Sequence, residues 1–313
     1  MFFKKKRRPG WLAIVSATDH FDLVHVRRSA AGRPEVVLCD SYRKEGGDAM
    51  TLAHLRKELN LDDYRCTTLL KFADYKMHVM DAPNVPAGEM KNAVRWRMKD
   101  VLDFPLEQAT IDVLDVPVDA NGPVRNHSVY AITARNDVIE RTVRPFNESN
   151  VPLDVIDVPA IAQRNIAALF EPQGRGLAML GFYDDCCKLT ISSGGELFLT
   201  RRIDITLPQL IEAEAERRAE LFDRIALELQ RSLDGFDRQY SYVPVAKLML
   251  APLSRDIGLQ QYLATNIYVP IETVDLAAVM DFPAVPELKS PARQAQCLPM
   301  IGAALRGEEA VSP

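Results

Sequence analysis

Residues 178–187, AMLGFYDDCC, set an apolar run, a glycine, a pair of carboxylates and a pair of cysteines side by side. Each type offers chemistry. A glycine lets a phosphate approach the backbone, paired acids can hold a cation, and thiols bind metal or exchange electrons. Spacing narrows the choice: neighbours on a strand point to opposite faces, so Cys186 and Cys187 are poorly placed to hold one ion together. His20, His25, His54, His78 and His127 are scattered without ligand spacing, and no metal site is expected. No G-x-S-x-G elbow is present, and the five cysteines, completed by Cys39, Cys66 and Cys297, show neither a disulfide framework nor C-x-x-C spacing. A reducing compartment fits that usage. Asp184 and Asp185 are left as acids within reach of a phosphate, although solvated carboxylates are the default in a turn.

The elements that must carry this stretch are legible as alternating patterns. WLAIV, FDLVHV and EVVLC read as a meander of strands, followed by a helix over Met50 to Leu59 and a strand near CTTLLKF. From Val85 the texture changes: a helix carrying Met90, Val94, Met98, Val101 and Leu102 on one face ends at Pro105. The strands ATIDVLDVPV and HSVYAITA flank the turn ANGP, and the helix DVIERTVRPFNES follows. LDVIDVP and the helix AIAQRNIAALF lead back out. The opening rhythm then repeats, with GLAMLGF, CKLTIS and ELFLTRRI as strands, one long helix over 207–234, the strand AKLMLAPL, a helix, a strand within NIYVPIETV and a terminal helix CLPMIGAALRG. Two halves of similar order suggest a duplicated α/β fold.

The 313-residue chain has a net charge of −5, 47% hydrophobic residues and 7% aromatic residues. That balance argues against nucleic-acid binding, which favours a basic stripe with interleaved aromatics. The exception is KKKRR, residues Lys4, Lys5, Lys6, Arg7 and Arg8, which follow Met1, Phe2 and Phe3. This run reads either as a solvated terminus or as a contact with an anionic membrane face. No apolar run approaches the roughly 18 residues of a membrane span, and no signal-peptide pattern follows the basic cluster. A cytoplasmic location is the expectation.

Specific words narrow the fold. EMKNAVRWRMKDVLDFPLEQATIDV, ARNDVIERTVRPFNESNVPLDVIDVPAIAQRNI, ELQRSLDGF and MIGAALRG together resemble the PilM family of type IV pilus biogenesis proteins, most closely its MshI-type branch serving the agglutinin (MSHA) pilus. The resemblance runs nearly end to end, although its individual motifs are loose. It implies an actin-like ATPase fold of duplicated ribonuclease-H-like halves with an inserted small α+β subdomain. The expected organisation is a basic tail (1–10), a first half (11–79 and 156–175), the insert (80–155), a second half (176–306) and a C-terminal tail (307–313). The resemblance further implies a cytoplasmic adaptor, peripheral on the inner membrane, that grips the N-terminal tail of a PilN-like bitopic membrane protein beside the insert. Arg95, Trp96 and Arg97 suit such a peptide contact, the alternative being that Trp96 packs on a neighbouring strand.

The family's nucleotide elements give a residue-by-residue test. Where relatives read like GIDIGSSS, this chain has Ile14 or Val15 for the Asp and Ser16 or Ala17 for the Gly. Where they read like ADIGASST, Gly181 survives, Met179 or Leu180 replaces the Asp, and Phe182 and Tyr183 replace small residues. Ala251 and Pro252 occupy the Gly-Gly turn that admits adenosine, and proline both fixes the backbone and removes a donor. Ser16, Thr18, Asp19, Gly181, Asp184, Asp185 and Ser254 are therefore expected to outline a vestigial nucleotide site without catalysis or required cofactor, ATP being the ligand of the rival reading. The rivals are a nucleotide-switched ATPase using Asp184 or Asp185, a GspL-like component of type II secretion, and an FtsA-like filament.

Overall fold

The computed structural model describes residues 7–118 and 127–307. Its first half begins with strands β1 (Trp11–Ser16), β2 (His20–Arg28) and β3 (Pro34–Arg43), helix α1 (Asp48–Leu59) and strand β4 (Arg65–Leu69). An excursion follows, made of β5 (Tyr75–Asp81), α2 (Met90–Arg97), β6 (Ala109–Asp115), β7 (Ser128–Arg135) and α3 (Asn136–Ser149). The chain returns through β8 (Val155–Asp157) and α4 (Pro159–Ala167). The second half holds β9 (Gly176–Phe182), β10 (Cys187–Ser193), β11 (Glu196–Ile203), α5 (Leu207–Glu212), α6 (Ala215–Gln239), β12 (Val245–Leu250), α7 (Leu259–Asn266), β13 (Ile271–Thr273) and α8 (Pro291–Ala304).

Duplication is explicit in the sheets. One has the order β3-β2-β1-β4-β8 and the other β11-β10-β9-β12-β13. In both, the three meander strands pair antiparallel and the two outer pairings are parallel. The central strands β1 and β9 are buried on both faces, which is why their sequences are continuous apolar runs. Along β1, Leu12 and Ile14 join a core with Leu52 and Leu55 of α1, whereas Ala13 faces the opposite way. Along β9, Ala178 and Leu180 join the core of α6, whereas Leu177 and Met179 face back toward Ala13. Helices α4 and α8 fill the shared space between the sheets, and Gly302 of α8 lies directly against the Ala162 backbone of α4.

Several elements differ from the sequence reading. The excursion begins at Tyr75 rather than at residue 80, because YKMHVMD forms the edge strand of a sheet ordered β5-β7-β6. Helix α3, assigned to the insert, closes the first half's outer core: Phe146 and, beyond its end, Val151 pack with Leu12, Phe21 and Leu52. Helix α8, assigned to the second half, packs against the first sheet, with Ile301 and Leu298 beside Val24 and Val36. The expected single helix over 207–234 is broken where Ala213 takes ψ 140°, so α5 ends and α6 starts afresh. NIYVPIETV supplies only a three-residue strand. The turn ANGP lies outside the described residues.

The insert is braced against the second half. The Tyr130 hydroxyl donates to the Phe198 carbonyl and accepts from the Thr200 amide, both at 3.2 Å. These bonds cover part of the β11 edge, which would otherwise offer itself for pairing.

Candidate functional site

The two meander hairpins, β1–β2 and β9–β10, carry the residues expected to outline a nucleotide site. At the first, Ser16 Oγ sits 2.9 Å from Lys44 Nζ and 3.2 Å from Asp48 Oδ2. Lys44 Nζ also donates to the Ala17 carbonyl at 2.6 Å and pairs with Asp48 Oδ1 at 2.8 Å. An ammonium has three donors, and internal acceptors occupy all of them. Thr18 and Asp19 project to solvent. A 2.7 Å bond from His20 Nδ1 holds the Asp19 carboxyl below its ordinary range, and the same bond raises the His20 imidazole.

The second hairpin is filled from within. A side chain at Gly181 would place its Cβ 2.2 Å from Gln163 Oε1 and 2.9 Å from the Tyr183 ring. The glycine is thus needed for close packing of the protein's own side chains, in the position where a phosphate would need open backbone. Gln163, buried on α4, places Nε2 2.8 Å from the Met179 carbonyl, 3.0 Å from the Lys188 carbonyl and 2.9 Å from Thr190 Oγ1. The Tyr183 hydroxyl donates to Gln163 Oε1 at 2.9 Å, and the Phe72 ring stands edge-on to Tyr183 at 4.6 Å. Lys188 lies across from Gly181 in the β9–β10 register. It is 8% exposed with Nζ 5.8 Å from the centre of the Phe72 ring, and burial lowers its amine pKa.

The acids of this hairpin turn away. Asp184 is exposed, and Asp185 faces Arg202, whose guanidinium donates to the Asp185 carbonyl at 2.8 Å and also pairs with Asp204 at 2.7 Å. Cys186 and Cys187 are both buried, and burial pushes the Cys186 thiol up to about 11. Among the described residues no group of three His, Cys, Asp or Glu is arranged to hold a metal ion.

The loop after β12 borders a cavity of about 680 Å³ lined by Phe182, Pro252, Ser254, Arg255, Gly258 and Ser290, among others. It lies outside the carboxyl ends of parallel strands, the usual position for ligands in open α/β sheets. Ala251 and Pro252 are buried, with the Ala251 amide bonded to the Leu180 carbonyl at 2.9 Å, and Ser254 is exposed. Val15 and Phe182, at the ends of β1 and β9, pack against the same apolar core. The acids that phosphoryl transfer uses to hold magnesium are missing from these positions.

On the insert, the Arg95, Trp96 and Arg97 cluster divides. Arg95 donates to the carbonyls of Ala109 and Leu106, both at 2.8 Å, and Arg97 donates to the Asp81 carbonyl at 2.8 Å. These guanidiniums brace the helix to the sheet. Trp96 is 69% exposed, so it does not pack on a neighbouring strand. Arg95→Ala is expected to loosen α2, raising hydrogen-exchange rates across residues 90–98 and destabilising the protein by about 1–2 kcal/mol through two lost charge-assisted bonds. Unchanged exchange would show that the bonds are not holding the helix.

The basic N-terminal run is also divided. Arg7 is ion-paired with Asp154, and Arg8 donates through its amide to the Asp63 carbonyl at 2.6 Å and through its guanidinium to the Tyr64 hydroxyl at 2.9 Å. Both arginines contact the protein body while remaining exposed. Lys4, Lys5 and Lys6 lie outside the described residues.

The sequence reading missed Gln163, whose signal is a single amide within the otherwise apolar start of α4. It also missed the buried Asp157, which accepts from Arg306 at 2.6 Å. Those residues are 149 positions apart, so no local pattern announces the pair.

No family model matches the chain, and no curated protein matches it in sequence. Solved structures do match. A chain of the PilM-PilN type IV pilus biogenesis complex shares 21% identity, covering 98% of this chain and 100% of that one, with a TM-score of 0.68. A Bacteroides thetaiotaomicron protein of actin-like ATPase fold and unknown function shares 10% identity over 95% and 97% of the two chains, with a TM-score of 0.50. The cytoplasmic domain of Vibrio cholerae EpsL, an inner-membrane component of the type II secretion system, shares 13% identity over 66% and 76%, with a TM-score of 0.41, too slight a likeness to bear on a GspL-like role. The chain has the actin-like ATPase fold, with an overall arrangement similar to that chain of the PilM-PilN complex.

Proposed function

We propose that this protein is a non-catalytic, actin-like adaptor of type IV pilus assembly that binds the N-terminal cytoplasmic tail of a PilN-like bitopic inner-membrane protein. The observation that carries the reading is the filled second hairpin: Gln163 and Tyr183 occupy the face of Gly181 that a phosphate would need. With that face taken by internal hydrogen bonds and Val15 and Phe182 apolar at the hairpin ends, the electrostatic clamps of phosphoryl transfer are gone. Binding is then the function left to the fold. The partner class follows from the PilM-PilN structure, and Trp96 is the exposed aromatic of the insert on which a peptide would anchor. The MSHA-type pilus is the system suggested by the motifs EMKNAVRWRMKDVLDFPLEQ and MIGAALRG.

Calorimetric titration with ATP and magnesium tests the non-catalytic half of this reading. No heat is expected up to millimolar nucleotide, and micromolar binding would overturn it. The nucleotide-switched reading draws on one observation, the cavity of about 680 Å³ beside Phe182, which has room for a nucleoside. Titration with adenosine separates occupancy of that cavity from phosphate recognition.

Location at the cytoplasmic face of the inner membrane belongs to the same proposal. Among the described residues no helix is long and apolar enough to cross a membrane. Surface attraction is assigned to the basic run Lys4 to Arg8, in which Lys4, Lys5 and Lys6 contribute about 1 kcal/mol each near an anionic bilayer. Replacing all three with glutamine should abolish salt-sensitive cosedimentation with phosphatidylglycerol vesicles. Undiminished binding would remove those lysines from the account.

A further inference from the structure

Cys39 on β3 and Cys297 on α8 stand 258 positions apart in sequence, yet their Sγ atoms lie 3.2 Å apart in the core. The pair sits at the seam where the C-terminal segment, after leaving the second sheet at β13, is fastened to the first. There the Val36 amide donates to the Asp281 carbonyl at 2.9 Å, the Asp281 amide donates to the Pro34 carbonyl at 3.0 Å, and Arg33 pairs with the Asp281 carboxylate at 3.0 Å. A guanidinium stands over the thiols as well, with Arg293 Nη2 3.9 Å from Cys39 Sγ.

The two sulfurs are not equivalent. The close contact with Cys297 and the charge of Arg293 beside Cys39 favour the Cys39 thiolate over the opposing cost of burial, and the same contact pushes the Cys297 thiol up. The other cysteines differ: burial pushes Cys66 up to about 12 and Cys186 up to about 11, and raises Cys187 further. An asymmetric pair, with a guanidinium beside one sulfur and a second thiol at contact distance, is the arrangement of an attacking and a resolving cysteine.

We propose that Cys39 and Cys297 form a peroxide-oxidisable dithiol whose disulfide fastens the C-terminal helix α8 to strand β3 of the first half. The oxidant is hydrogen peroxide, small enough to reach cysteines that are 5% and 1% exposed. The Cys39 thiolate attacks one peroxide oxygen, the O–O bond breaks, and the departing hydroxide takes a proton to leave as water, giving Cys39 sulfenic acid. Cys297 Sγ then attacks Cys39 Sγ, the S–O bond breaks, and the hydroxyl leaves with the Cys297 proton as a second water. Two electrons pass from the thiols to the peroxide, and Arg293 stabilises the thiolate on which the first step depends. The site is independent of the pilus reading.

Brief treatment of the whole native protein with hydrogen peroxide, followed by alkylation and peptide mass mapping, tests the proposal. The expected product is one crosslinked peptide pair containing Cys39 and Cys297, two hydrogens lighter than the reduced pair and reversed by dithiothreitol. Cys66, Cys186 and Cys187 should remain open to alkylation after denaturation. In Cys297→Ala the crosslink should vanish and dimedone should trap the sulfenic acid on Cys39. Arg293→Gln should slow crosslinking about 10-fold without changing its product, and this rate comparison stands even if the alanine variant fails to fold. Closing so long a loop should also raise the Tm of the oxidised wild type. Unreacted thiols, a crosslink through another cysteine, irreversible oxidation of Cys39 without a crosslink, or a crosslinking rate indifferent to Arg293 would each overturn the proposal.

Discussion

Under the proposed function, Trp96→Ala is expected to weaken binding of the membrane partner's N-terminal tail by about 10- to 100-fold and to leave the fold unchanged, because an exposed aromatic would anchor a contact that its removal forfeits. The separation of the two effects comes from the geometry. Trp96 is 69% exposed, so little native packing is lost with it, whereas Val94 and Met98 on the buried face of the same segment hold the insert's own core. Stability should shift by no more than about 0.5 kcal/mol, the usual range for surface substitutions. The control is Arg95→Ala, which should disturb α2 without removing the aromatic. Fluorescence titration with a labelled tail peptide reads the affinity, and urea unfolding reads the stability. Undiminished affinity in Trp96→Ala would move the peptide site off this face.

The second large effect is on stability. Gly302 in α8 lies against α4 so closely that an added Cβ would stand 2.2 Å from the Ala162 carbonyl oxygen and 2.7 Å from its carbon. Backbone cannot swing aside as a side-chain tip can, so Gly302→Ala must push the two helices apart. The Asn165 bond to the Gly302 carbonyl, 2.9 Å long, would be strained with them. Since α4 and α8 fill the space between both sheets, the displacement reaches each half. We expect a loss of about 3 kcal/mol, the upper end of overpacking costs, despite the better helix propensity of alanine. Gly235 in α6 is the matched control: nothing lies within 4 Å of its added Cβ. Gly235→Ala should stabilise by about 0.5–1 kcal/mol from propensity alone. Equal responses at the two glycines in urea unfolding would contradict the close helix contact.

These predictions show which parts of the molecule the sequence carries openly. Strands β1 and β9 were legible because a central strand buried on both faces must be apolar throughout, and their repetition disclosed the duplication. Strand β5 was not, since YKMHVMD mixes a lysine and a histidine into an exposed edge. The break between α5 and α6 falls in IEAEAE, which has no glycine or proline to mark it. The packing of α3 and α8 depends on contacts across the chain, which proximity in sequence does not disclose.

The candidate site divides in the same way. Substitutions at the hairpins, such as Met179 and Phe182 in the second, could be read directly, because bulk and lost charge are properties of single residues. How the second hairpin is filled could not. The plug requires Gln163 on α4, Tyr183 on the hairpin and Phe72 before β5 to converge, and only the folded chain brings them together. Arg95 and Arg97 illustrate the converse: arginines flanking an exposed aromatic suggest a binding face, yet their guanidiniums are committed to the backbone of the insert.

The central claim is that this actin-like chain grips a peptide without a nucleotide switch. Calorimetric titration of the purified protein with a synthetic N-terminal tail of its PilN-like partner, with and without magnesium and ATP, tests it most directly. The account predicts saturable binding at one site with the same affinity in both titrations. Absence of binding, or binding that appears only with nucleotide, would contradict it.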